Sequence, residues 1–146
     1  MKRFNFPLDR VRRWRLEQLS VEELKLQHLR AELEALAATK RVIQDELAQT
    51  QQQVLGQAYL QSSELESLDS FRVHIRGRVR ELEHSEWERG IKVLEQRTKV
   101  IEARRQFELL EQLRKKSLGA WKTAADKEQE DLAAELFLAR RSLRSS

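Results

Sequence analysis

Residues 19–54 read LSVEELKLQHLRAELEALAATKRVIQDELAQTQQQV, and their periodicity decides the fold. At alternating steps of three and four, the inward positions are Leu19, Glu22, Leu26, Leu29, Leu33, Leu36, Lys40, Ile43, Leu47, Thr50 and Val54. Eight of these eleven are aliphatic, and the residues between them are mostly charged, amide or alanine. So narrow a stripe matches the a/d seam of a coiled coil rather than the wider apolar face of a globular-domain helix. A helix of this kind needs a partner to bury its seam.

Working outward, the 146 residues have the composition of long helices. Charged residues make up 36%, aromatics 6%, and there are four glycines and one proline. The 40% hydrophobic content is arranged periodically, which argues against disorder. Pro7 and Asp9 suit a helix start, one by its missing N–H and the other by its charge against the helix dipole. A first helix is expected over about 8–55, a turn over about 56–63, and a second helix over about 64–140. Ser63 and Glu66 have capping-box spacing. The expected fold is all-α: one domain of two long helices forming an antiparallel coiled-coil hairpin, the second overhanging the first.

The second helix has a less regular stripe. Leu68, Ile75 and Leu82 are seven apart, with Phe71 and Val79 beside them. After a charged stretch the stripe is expected to resume at Ile91, Leu94 and Ile101. It then shifts to Phe107, Leu110, Leu113 and Trp121 and closes with Leu132 and Leu136, the phase shifts being stutters. Gly77, Gly90 and Gly119 are places where bending is expected. Glu88→Lys92, Glu95→Lys99 and Glu111→Lys115 have the spacing of favourable intrahelical ion pairs.

The formal charge is +4, with Lys2, Arg3, Arg10, Arg12, Arg13 and Arg15 crowding the start and Arg140, Arg141 and Arg144 the far end. A hairpin gathers these into one positive pole, fit for an acidic partner surface, an anionic membrane or nucleic acid. The run from Arg10 to Arg15 reads first as a solvated helix start, next as a docking site for an acidic protein surface, and last as a basic-zipper-like arm. Trp14 and Trp121 are expected in the core, and Phe4 and Phe6 pin the first helix against the second. Trp87 is either a partner contact or locally packed.

No pattern carries chemistry. His28, His74 and His84 are scattered, and a helix-face pair of His84 with Glu81 is better read as a solvated surface. No serine has a positioned base, and no glycine-rich phosphate loop exists. No catalytic, cofactor-binding or metal residue is assigned, and no enzyme is expected. There is no cysteine, no secretory signal pattern and no stretch of about twenty apolar residues, so the chain reads as soluble and cytoplasmic.

Three stretches together resemble the flagellar export protein FliJ family. The opening, Phe4 to Val11 (FNFPLDRV), has its aromatic-x-aromatic-x-leucine entry into a basic amphipathic helix. Phe107 to Leu118 (FELLEQLRKKSL) and Lys127 to Arg141 (KEQEDLAAELFLARR) are similar to its later segments. The resemblance implies an antiparallel coiled coil similar to a rotary ATPase central stalk, acting in flagellar type III protein export. Implied partners are the flagellar export ATPase hexamer, the cytoplasmic domain of the export gate, and export chaperones. No nucleic acid is implied, and the membrane is met only indirectly, at the inner face of the flagellar base. Arg10, Arg13, Arg15, Lys115, Lys116, Lys122 and Arg140 are the implied ATPase-binding residues. Leu36, Ile43, Leu47, Phe71 and Ile75 fall where the family meets the gate, although the same positions serve the seam. A virulence-type III stalk, a generic coiled-coil scaffold and a basic nucleic-acid binder remain the rival readings.

Overall fold

The structure, a computed structural model, describes residues 2–145. It contains two helices, α1 (Asp9–Leu55) and α2 (Ser62–Ser145), which pack against each other as an all-α helical hairpin. The chain divides into two units: Val21–Val100, holding the turn, and Met1–Ser20 with Ile101–Ser146, holding both ends.

In the turn-bearing unit, every expected α1 seam position from Glu22 to Val54 is buried or half-buried. The α2 side of the seam runs Leu68, Arg72, Ile75, Val79, Leu82, Glu86, Arg89, Val93, Gln96 and Val100, again in alternating steps of three and four. This corrects the expected stripe. Ile91 and Leu94 lie on the outer surface, and Val93 and Gln96 point inward instead. A helix keeps its phase through a charged stretch, so inward positions follow the 3.5-residue count even where they are polar. The polar inward residues meet polar partners. Gln96, only 6% exposed, donates to the Glu22 carbonyl at 3.0 Å and to the Glu22 carboxylate. Lys40 Nζ lies 3.2 Å from Glu86, and Arg89 Nε lies 3.2 Å from Glu32.

In the terminal unit Leu19 and Phe6 are buried, and Ala103, Phe107, Leu110, Arg114, Leu118, Trp121 and Ala125 form the half-buried α2 stripe. The doubled four-residue step from Leu110 through Arg114 to Leu118 is a stutter. Ile101, Leu113, Leu132 and Leu136, all expected in the stripe, are exposed. Phe4 packs on Trp121 with ring centroids 6.0 Å apart, and the Trp121 indole donates to the Lys2 carbonyl at 3.3 Å. The aromatic start is therefore pinned to α2 as expected. Trp14 is not in the core: it is 48% exposed, with the Arg15 guanidinium 4.6 Å from its ring.

The three expected intrahelical pairs do not form among the described residues; Glu111 reaches across to Arg12 at 2.7 Å, and Glu88 bonds back to His84 at 3.0 Å. α2 begins earlier than expected, because the Gln61 carbonyl accepts from the Glu64 and Leu65 N–H groups and places Ser63 inside the first turn. It continues unbroken through Gly77, Gly90 and Gly119 to Ser145.

Among the described residues no third element covers the outward faces, and the accessible surface is 12030 Å². A globular monomer of this mass exposes about 7,800 Å². Among the described residues no helix is long and apolar enough to cross a membrane.

Two predictions follow from this packing. A β-carbon at Gly56 would stand 2.8 Å from the Gln52 carbonyl oxygen, whereas one at Gly90 meets nothing within 4 Å. Gly56→Ala should therefore lower thermal stability, and Gly90→Ala should raise it by about 1 kcal/mol. Replacing Glu22 and Gln96 together by Leu should raise the urea midpoint while loosening register. Cysteine pairs along the seam would then cross-link at more than one offset, where the parent chain gives one.

Candidate functional site: a basic face on the terminal unit

Sixteen Lys and Arg stand against ten Asp and Glu in the terminal unit, a net charge of +6. All seven residues of the expected ATPase-binding set lie in it. The structure brings only part of the set together. Arg10, Arg13 and Trp14 share one exposed face of α1 with Glu17, spaced by three and four residues, and line a shallow depression of about 430 Å³. Arg13 is tethered to Asp9 by a 3.0 Å ion pair, whereas Arg10 makes none among the described residues. Arg15 is half-buried and lies over the Trp14 ring. Lys115, Lys116 and Lys122 are exposed on α2, and Arg140 lies farther along it, where every residue from Asp126 to Ser145 is exposed. Two guanidinium groups beside an exposed indole can bind carboxylates by bidentate hydrogen bonds and hold a planar or apolar group against the ring.

Arg12 sits in the same basic run and does a different job. It turns inward, bonding Asp9 at 3.0 Å and Glu111 at 2.7 Å, and so ties the first turn of α1 to α2. The hydrogen bond from Arg12 holds the Asp9 carboxyl below the usual carboxylate range. The charges of Arg12, Arg13 and Arg114 add to that effect, and desolvation opposes it. The bond to Asp9, with that to Glu111, makes Arg12 still harder to deprotonate. Spacing hinted at this inward role, since Arg12 falls seven residues before Leu19 on the seam.

The expected gate-binding residues all belong to the turn-bearing unit; Leu36, Ile43, Leu47 and Ile75 lie on the seam and Phe71 beside it. Ile75 is buried, while Leu36, Ile43, Leu47 and Phe71 are half-buried. Leu47 and Ile75 line one interhelical cleft with Val79. The large apolar residues that this unit does present outward are others: Leu24, Val42, Val73, Trp87, Ile91 and Leu94 among them. Trp87 stacks on His84 with centroids 6.1 Å apart and is otherwise open to solvent. Sequence periodicity carried the signal for this second stripe, because Trp87, Ile91 and Leu94 are themselves spaced by four and three.

Among the described residues no cluster of His, Asp and Glu could hold a metal ion. Comparisons with family models, curated proteins and solved structures find no match.

Asp9 generates a pH prediction. A carboxyl with a lowered folded-state pKa adds stability that is fully present above its unfolded value, about pH 4, and is lost as pH falls through the folded value. The parent chain should lose part of its urea resistance as pH falls below about 4, and Asp9→Asn should flatten that part of the profile.

Proposed function

We propose that this chain is a non-enzymatic stalk of a flagellar type III export apparatus. It would promote assembly of the export ATPase ring and couple it to the cytoplasmic domain of the export gate. The observation that carries the reading is the two-helix hairpin whose terminal unit combines a +6 charge with an outward Arg10–Arg13–Trp14 face. A central stalk must present its terminal end to the inside of a ring. Exposed guanidinium groups there suit acidic ring loops, while the thin seam leaves the outer surface free for successive partners. The order of the three FliJ-like stretches along the chain supports the same assignment. In this reading the protein works in the cytoplasm, peripherally associated with the membrane at the flagellar base, and also meets export chaperones.

For the gate contact, the exposed stripe of Trp87, Ile91 and Leu94 is a better candidate than Leu36, Ile43, Leu47, Phe71 and Ile75, which lie on or beside the seam. A partner can reach the stripe without prising the helices apart.

Native mass spectrometry with the organism's own flagellar export ATPase and nucleotide tests the proposal. One copy per hexamer is the expected result, and replacing Arg10, Arg13 and Arg15 by Glu should weaken the complex about tenfold or more without loss of helicity. A helical protein that forms no complex with the ATPase would sink the stalk reading.

A further inference from the structure

Trp121 and Ala125 are the last half-buried residues of the α2 stripe. Beyond them the same face runs on through Leu132, Leu136 and Ala139, at steps of seven, four and three, and all three are exposed. Phe137 and Leu138 add further exposed apolar surface beside them. Charge divides this overhang in two. Residues 126–135 hold five carboxylates and one lysine, a net −4, and residues 136–145 hold Arg140, Arg141 and Arg144, a net +3. Among the described residues none of these charged side chains forms an ion pair within the chain. A face whose two halves carry opposite charge is complementary to itself turned end for end. Parallel alignment would set −4 against −4 and +3 against +3.

We infer that the overhang is a self-association surface, on which the overhang of a second copy of this chain lies antiparallel. The second copy runs along the face in the direction of α1, taking up the stripe beyond the Phe4–Trp121 contact. A two-fold axis near Ala134 sets Leu132 of each copy against Leu136 of the other. Asp126 and Arg140 stand two heptads apart on one edge of the face. Like edges meet in an antiparallel pair, so Asp126 of each copy faces Arg140 of the other. On the opposite edge Glu135 faces its own copy across the axis, the one like-charge contact of this register. The surface takes Arg140 from the expected ATPase-binding set but nothing from the Arg10–Arg13–Trp14 face. It belongs to the free chain and does not depend on the secretion-stalk reading.

Sedimentation equilibrium of the purified full chain tests this. A dimer should grow in over roughly 10–200 µM chain and weaken as salt rises. Leu132→Glu should abolish it. Asp126→Arg or Arg140→Asp alone should weaken it about fivefold or more, and the two together in one chain should restore it. Glu135→Gln, which removes the like-charge contact, should tighten the pair. In a parallel pair Glu135 would instead meet Arg140 of the second copy, and the same substitution would weaken it. All the substituted side chains are exposed, and circular dichroism verifies that each variant stays helical. A chain that remains monomeric to about 200 µM overturns the proposal. So does a dimer that survives Leu132→Glu, a charge swap without rescue, or weakening by Glu135→Gln. Binding of the overhang to anionic phospholipid vesicles by a chain that stays monomeric would also overturn it, assigning the face to a membrane.

Discussion

The hydrogen bonds from Gln96 to Glu22 fix what the leucines leave open. A seam of Leu, Ile and Val repeating every seven residues packs almost as well after a slip of one heptad, because each apolar residue finds another of its kind. A slip that carried Gln96 away from Glu22 would leave buried polar groups without partners, at about 1–3 kcal/mol each. Lys40 with Glu86 and Glu32 with Arg89 repeat the device farther along the seam. The residues that weaken the seam as a source of hydrophobic stabilisation are those that give it a single register.

That division of labour explains what could be read beforehand. The α1 seam was fully legible, since its aliphatic residues fall on their own period and Pro7, Gly56 and the Ser62–Ser63 pair bracket the helices. The α2 seam was misread after Leu82. There the apolar residues Ile91 and Leu94 lie off the inward phase, and the residues on it are Glu86, Arg89, Val93 and Gln96. The mismatch was decodable in principle, because Glu22 and Lys40 on α1 demand polar partners opposite them. Hydrophobicity taken alone favours the exposed stripe over the true one.

The basic run shows the same limit at the scale of single side chains. Composition placed six cations at the start of the chain but gave no sign that they divide by direction. Arg12 is committed inward to Asp9 and Glu111, while Arg10 and Arg13 share the outer face with Trp14. Trp14 itself was assigned to the core on residue type. In a hairpin of only two helices most of each helix's circumference is surface, so even a tryptophan has a good chance of pointing outward.

α2 runs on for some twenty residues after Ala125, every one of them exposed through Ser145. Leu132 and Leu136 continue the face that carried Leu118 and Trp121, and both are exposed there. A peptide helix of that length is only marginally stable in water when nothing packs on it. One uninterrupted element thus contains two grades of helix. The first is held by a neighbour along its whole seam. The second is held mainly by its own backbone hydrogen bonds, so a surface that covers Leu132 and Leu136 would supply stability as well as contact.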